Sequence, residues 1–381
     1  MTVLRRAVTG FLLVKLATLA VNLASFPVLG RRRRPLSPLS PLSPLSRQGR
    51  QGRLGRQEPA ASVSVLIPVR NEAATLARFL PAVLAQSGVA ELIVLDDESE
   101  DGSAELAEAL LGGTPHARLV RGTTAPPGWV GKNWACQQLA GQARGELLVF
   151  CDADVLLAPG AIEAVVRELA DQRADVFSVF PRQLTAGLGE ALLTPLIDDV
   201  LLCFLPFGLL SADVPSAATA NGSLLAMRRA ACTALAGFSS VRGDIVEDVA
   251  LARKARRGGL KLGLALGGEL VQTRMYAGYR AAVAGLGRGL LAVAGGSRWR
   301  LAAATGWHLV VYTLPLAAAT RQRRWLLPLG LGLLERLLVG LKCHPRAAWQ
   351  AILTPLCPVA FVPVALQASR RQQVWKGRSY S

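Results

Sequence analysis

The sequence predicts an α/β fold, a mostly parallel sheet flanked by helices, carried on transmembrane helices at both ends. Three observations predict it. Apolar, strand-like runs alternate with helical stretches over residues 63–151; one such run, 147–151, ends in Asp152-Ala153-Asp154; and long apolar stretches precede residue 30 and follow Trp299. Strands alternating with helices at this spacing imply right-handed βαβ units and hence a parallel sheet. The run 147–151 does not alternate apolar with polar, as suits a central strand covered on both faces. Ligands of open α/β sheets sit beyond the carboxyl ends of the strands, where Asp152 and Asp154 fall. Carboxylate oxygens suit Mg²⁺ or Mn²⁺, ions that take one or two protein carboxylates together with phosphate oxygens of a substrate. An isolated Asp-x-Asp also suits a turn capping the next helix.

The first element is an apolar run over residues 7–30, interrupted by Lys15 and closed by Pro27. Its length suits a membrane span. A cleaved leader would want a shorter apolar core, and Arg31-Arg32-Arg33-Arg34 opposes translocation, so the run reads as an uncleaved anchor. Arg5 and Arg6 precede it and eight arginines come closely after it, which by the positive-inside rule puts the N-terminus outside and the chain beyond Arg31 in the cytoplasm. Residues 35–46 repeat Pro-Leu-Ser four times, an extended spacer, and the polar stretch to Gln57 continues it. Eight of the arginines behind the formal charge of +17 crowd into residues 31–56; beside an apolar segment such a basic block points to anionic lipid headgroups, and no nucleic-acid module supports a nucleic-acid partner. The six cysteines are scattered without C-x-x-C pairs, fitting free thiols of a reducing compartment and neither a zinc site nor a disulfide framework.

From residue 62 the elements run in order: strand 63–67, helix 73–86, strand 91–95, helix 104–111, strand 118–120, helix 132–143 and the strand 147–151. Pro68-Val69-Arg70-Asn71-Glu72 lies after the first strand and Asp96-Asp97-Glu98-Ser99-Glu100-Asp101-Gly102-Ser103 after the second. Such carboxylates accept hydrogen bonds from a ribose or base, and the same composition suits a helix-starting turn. With no G-x-G-x-x-G after the first strand and no Walker loop, a dehydrogenase or P-loop enzyme is excluded.

Taken together, Pro68 to Glu72, Asp97-x-Ser99-x-Asp101-Gly102-Ser103, Gly131-Lys132-Asn133, Asp152-Ala153-Asp154, Asn221-Gly222 and Glu247-Asp248 stand in the order found in family 2 glycosyltransferases, which the chain resembles over residues 63–277. The resemblance implies the GT-A nucleotide-sugar-binding fold. Pro126-Pro127-Gly128-Trp129-Val130-Gly131-Lys132-Asn133-Trp134-Ala135 resembles the membrane-bound branch associated with carotenoid and hopanoid glycosylation. Carried over, it implies that Pro68, Glu72, Asp97, Lys132 and Asp152 bind the nucleotide-sugar, with a UDP-sugar the expected donor. Asp152 and Asp154 would hold a divalent cation, Mg²⁺ or Mn²⁺, against the diphosphate. Asp248, with Glu247, would be the catalytic base. A departing diphosphate needs its charge neutralised, and a hydroxyl acceptor must lose a proton as it attacks; direct displacement with one base inverts the anomeric centre. The Q-x-x-R-W of polymerising members is missing: Arg298-Trp299 lacks the glutamine, and Gln322-Arg323-Arg324-Trp325 is one residue short.

Residues 189–210 are apolar enough to span, but Asp198 and Asp199 sit in the middle, and a carboxylate pair at the bilayer centre is costly. A helix in the interface, or covering the acceptor entrance, is expected there, with a core helix the alternative. Beyond Trp299, residues 301–320, 325–341 and 348–368 are candidate spans, the second weakened by Glu335 and Arg336, leaving two or three. His308 and His344 read as packing or interfacial residues. The expected organisation is an anchor (1–30), a basic linker (31–61), a catalytic domain with interfacial helices (62–300) and a membrane region (301–381) of a multi-pass cell-membrane enzyme. Its acceptor would be a membrane lipid such as a carotenoid or other terpenoid; transfer to a polyprenyl phosphate or a polysaccharide, and a GT-A-shaped scaffold without catalysis, are the alternatives.

Overall fold

The computed structural model describes residues 1–31, 62–211, 214–370, 373–375 and 378–380; the linker expected over 31–61 lies, from residue 32, outside them. After α1 (Thr2–Ser25), the alternation read from the sequence is realised as β1 (Val63–Val69), α2 (Ala73–Leu84), β2 (Val89–Asp96), α3 (Ser103–Leu111), β3 (Ala117–Arg121), α4 (Gly131–Gln142) and β4 (Leu147–Cys151). Next come β5 (Val155–Leu157), α5 (Ala161–Asp171), β6 (Val176–Phe180), β7 (Arg182–Gln183), the short helices α6 (Leu188–Leu193), α7 (Leu196–Phe204) and α8 (Phe207–Ser211), then β8 (Leu224–Arg228) and α9 (Arg229–Ala234). Helix α10 (Glu247–Arg257), β9 (Leu262–Leu266) and β10 (Val271–Thr273) complete the α/β part. Helices α11 (Tyr279–Val293), α12 (Arg298–His308), α13 (Leu314–Ala319), α14 (Leu326–Cys343) and α15 (Cys357–Ala368) close the fold.

Seven strands form one sheet in the order β3-β2-β1-β4-β8-β6-β9. All neighbours pair in parallel except β8, which runs antiparallel between β4 and β6. The sheet is covered on both faces, as the lack of alternation in β4 requires: Leu66, Leu148 and Phe150 pack into one core, while Val65, Ile67, Leu147 and Val149 pack into the other. Because β8 is reversed, it starts where β4 ends, and the loop before it reaches the ligand end of the sheet. The Asp152 N–H accordingly donates to Ser223 O at 2.9 Å.

Helix α1 stops at Ser25, short of the expected residue 30, because the residue before a proline avoids the helical region; Phe26, preceding Pro27, is extended. The chain then joins the sheet edge. Val28 bridges Leu266 of β9 in parallel, with Leu29 N–H to Leu266 O and Leu266 N–H to Pro27 O both at 2.9 Å. Lys342 Nζ of α14 caps the end of α1, donating to Leu23 O and Phe26 O at 2.9 and 3.0 Å.

Residues 189–210, expected as one helix in the interface or over an entrance with a core helix the alternative, form three short helices, and the burial of Asp198 and Asp199 agrees with the core alternative. Their charges are met from distant helices. Lys15 Nζ of α1 lies 2.9 Å from Asp199 and 2.9 Å from Glu335 of α14, and donates to Tyr312 Oη at 2.6 Å. His344 Nε2 meets Asp198 at 2.6 Å, so His344 is a packing partner as the sequence indicated. Asn22 fills the break between α7 and α8, donating to Leu202 O and Leu205 O and accepting from Phe207 N–H. Among the described residues, three helices are long and apolar enough to cross a membrane: Thr2–Ser25, Arg298–Ala319 and Pro345–Ala368. The intervening α14 buries Glu335 and Arg336. All six cysteines are free and buried.

Candidate active site

The site is assembled where β1, β2 and β4 end. There Asp97 N–H donates to Val69 O at 2.7 Å, zipping the ends of β1 and β2 together. Asp97 is buried, with the Arg70 guanidinium 3.9 Å from its carboxylate. The loop after it is held as a cap: Asp101 accepts from the backbone N–H of Ala73 and of Ser103, both at 3.0 Å, and Ser103 Oγ accepts from Glu72 N–H at 2.7 Å. The turn-forming reading of this acidic run therefore holds for Asp101, which leaves Asp97 to face the end of the sheet.

Pro68, Lys132, Asp152, Gly222, Glu247 and Asp248 line one small cavity. Lys132, in the first turn of α4, ties the motifs together. Its Nζ lies 2.9 Å from Asp152 Oδ1 and 3.2 Å from Glu247 Oε1. Burial alone would lower this ammonium's pKa, but the charges of Asp152 and Glu247 override it and hold the pKa well above the usual lysine value. The next residue, Asn133, is fully buried and donates through Nδ2 to Val241 O, Arg242 O and Asp244 O at 2.8, 3.3 and 3.0 Å. It fixes the loop that delivers Glu247 and Asp248 to the start of α10.

Asp248 is clamped by two backbone N–H groups, those of Gly222 on Oδ2 and Val249 on Oδ1, each at 2.7 Å. Burial first, then the Glu247 charge, push its pKa up to about 7 against the opposing Lys132. A carboxylate so placed takes and returns protons near neutrality. Gly222 lets the two ends approach closely: a Cβ there would stand 3.1 Å from Glu247 Oε1 and 3.3 Å from Lys132 Nζ, so both side chains would have to shift.

Asp154 is likewise pushed up to about 7, by burial and then by the charges of Asp152 and Glu72. This excess of negative charge at the strand end fits a divalent cation: Asp152 and Asp154 would hold it, the remaining ligands coming from a diphosphate. Of the residues singled out from sequence, the structure thus gathers Pro68, Lys132, Asp152, Glu247 and Asp248 in one cavity, sets Glu72 within electrostatic reach of Asp154, and leaves Asp97 beside Arg70. Sequence reasoning gave no role to Asn133 or Gly222, although both stand inside quoted motifs, and it missed Tyr276, whose pKa is raised by burial and by the nearby Asp154 charge. No local pattern marks that tyrosine.

The parallel-dominated sheet, with its acidic strand ends and the Glu247-Asp248 pair opening a helix, defines a GT-A-type α/β domain. Residues 64–194 match the model of glycosyl transferase family 2, and the chain carries a domain of that family. It is 29% identical over 233 residues to a 4,4'-diaponeurosporenoate glycosyltransferase of Staphylococcus haemolyticus, covering 60% of each chain. It is 36% identical over 110 residues to an uncharacterized protein of Mycobacterium tuberculosis, covering 29% of this chain and 33% of that one. The chain thus spans less than two thirds of either relative. Its fold is similar to that of a mannosyltransferase from Pyrobaculum calidifontis in complex with GDP-Man and Mn²⁺, with a TM-score of 0.52 at 17% identity over 96% of this chain and 97% of the other.

Proposed function

We propose that the protein is an inverting glycosyltransferase that moves one sugar from a nucleotide-sugar, a UDP-sugar, to a terpenoid lipid of the membrane that holds it. The observation that carries this reading is the cavity in which Lys132 joins Asp152, at the diphosphate end, to Glu247 and Asp248, at the acceptor end. The staphylococcal relative, named for a carotenoid acid, supports a terpenoid acceptor; three apolar helices among the described residues support a membrane enzyme, and the arginines that come after residue 30 favour a cytoplasmic α/β domain.

In this reading Asp97 accepts hydrogen bonds from the nucleoside, and Pro68 shapes the wall of the cavity. Glu72 contributes charge beside Asp154. Asp152 and Asp154 would hold a divalent cation, which when bound would supply positive charge for the departing diphosphate. Lys132 supplies a second positive charge on that side and orients Glu247. The acceptor hydroxyl oxygen bonds to the anomeric carbon as the carbon–oxygen bond to the diphosphate breaks; the hydroxyl proton passes to an Asp248 oxygen, and the configuration inverts. The two N–H groups on Asp248 hold it in the orientation to receive that proton.

Membranes containing the protein, incubated with radiolabelled UDP-sugar and Mn²⁺, are expected to yield a labelled glycolipid that stays with the membrane fraction. Label entering a water-soluble polymer of growing length would refute single transfer to lipid and favour a polysaccharide product.

A further inference from the structure

We infer that the hydrocarbon chain of the acceptor lipid lies in a cavity at the seam between the α/β domain and the membrane-side helices, an inference that rests on the glycolipid reading above. The cavity encloses about 560 Å³ and is lined from α7, α11, α12, α14 and α15, a size that takes one small molecule or a length of lipid chain. Its surface is largely that of Leu290, Val293, Leu301, Ala304, Pro358 and Phe361.

The polar side chains along its wall are turned to partners in the protein. Asp199 meets Lys15, while Glu335 meets Lys15 and accepts from Tyr312 Oη at 2.8 Å. Arg336 donates to Pro195 O at 2.6 Å. His308 Nδ1 is 2.8 Å from Ala304 O, and the Thr305 and Thr354 hydroxyls donate to Leu301 O and Ala351 O one turn back. Each of these has at least one partner within the chain; Glu335 Oε2 and Arg336 Nη2 are buried without one, and Arg300 is the remaining charged group of a lining that is otherwise largely apolar. A largely apolar lining favours an apolar occupant over water.

Two further features name the occupant. First, helices Arg298–Ala319 and Pro345–Ala368, both long and apolar enough to cross a membrane, supply Thr305, Thr354 and Phe361 to the wall, so the wall is built from helices suited to lipid surroundings. Second, α11 couples it to the base. A Cβ on Gly289 would stand 3.2 Å from Val246 Cγ2, two residues before Asp248. Val293, four residues on and on the same helix face, lines the cavity. About 6 Å of helix rise separates the two. A lipid whose polar end stands at Asp248 would follow α11 to lay its chain into this space.

The test uses the full chain in nanodiscs and a diazirine-bearing isoprenoid alcohol as probe, with the crosslinked peptides mapped by mass spectrometry. Label is expected in α11, α12 and α15, displaced by unlabelled isoprenoid alcohol and not by phospholipid. Ala304→Trp and Val293→Trp, at exposed positions, should cut labelling and raise the acceptor KM about tenfold or more, with nucleotide binding by calorimetry unchanged. Label spread evenly over the lipid-facing helices, or displaced equally by phospholipid, would overturn the inference. Unchanged acceptor KM in both tryptophan variants would also overturn it while leaving glycolipid synthesis intact. Specific labelling of the cavity without sugar transfer to any lipid would support the chamber and refute the glycosyltransferase reading instead.

Discussion

Replacing Asp248 by asparagine separates the proton-accepting role from the structural one. Both carboxylate oxygens accept a backbone N–H at 2.7 Å, from Gly222 and Val249. A carboxamide keeps one acceptor and turns an NH₂ donor toward the other N–H, so one buried hydrogen bond is lost, at about 1–3 kcal/mol of folding stability. Nucleotide binding, which depends on the opposite end of the cavity, should persist. Transfer to a hydroxyl acceptor should fall by about 10²–10⁴, whereas an acceptor that attacks as a carboxylate has no proton to lose and should be glycosylated at nearly the wild-type rate. The assay is nucleoside diphosphate release alongside thin-layer separation of labelled glycolipid, run in parallel on an isoprenoid alcohol and an isoprenoid acid. Unchanged transfer to the alcohol would remove Asp248 from the mechanism. Since the Asp248 pKa stands at about 7, the wild-type rate on the alcohol should climb as pH rises through that value, and the asparagine variant should lack this limb. The stability effect has the opposite sign. The folded-state pKa lies above the ordinary 3.8, so the folded chain binds this proton more tightly; Asp248's contribution is whole below about pH 4 and is lost as pH rises to about 7.

Asp154→Ala should abolish Mn²⁺-assisted binding of nucleoside diphosphate in calorimetry; undiminished metal-assisted binding would refute the assignment of that carboxylate. Lys15→Met should cost about 3–5 kcal/mol, because it strands Asp199 and Glu335 without their shared cation. Thermal unfolding in detergent measures this, and the triple variant Lys15→Met/Asp199→Asn/Glu335→Gln should recover most of the loss; a single variant as stable as wild type would show that the cluster is of no account.

What was legible in the sequence was what is local. The unalternating run 147–151 announced a strand buried on both faces, and the order of acidic motifs announced which strand ends face one ligand. The reversal of β8 was not legible, since Leu224–Arg228 has the apolar composition of its parallel neighbours and direction leaves no mark on five residues. Nor was the bridge from Lys132 to Glu247, because the two stand on different helices and only the closed sheet brings them within 3.2 Å. Residues 189–210 show the limit most plainly. Two adjacent aspartates in an apolar stretch argue for an exposed face when read alone, and the lysine and histidine that make their burial possible stand on α1 and just after α14.

The buried cluster around Lys15 also constrains the order in which the protein can be put together. Lys15 is synthesised 184 residues before Asp199 and 297 before Tyr312, and Glu335 emerges later still. During translation the first helix therefore carries an ammonium whose partners do not yet exist, and it waits with that charge drawn toward water or lipid phosphate. Only when α14 arrives does the first helix gain its last partners, with Lys342 closing its end and Glu335 its middle. The N-terminal helix is thus among the last to settle, and a ribosome that stops before α14 releases a chain whose very first element has not finished folding.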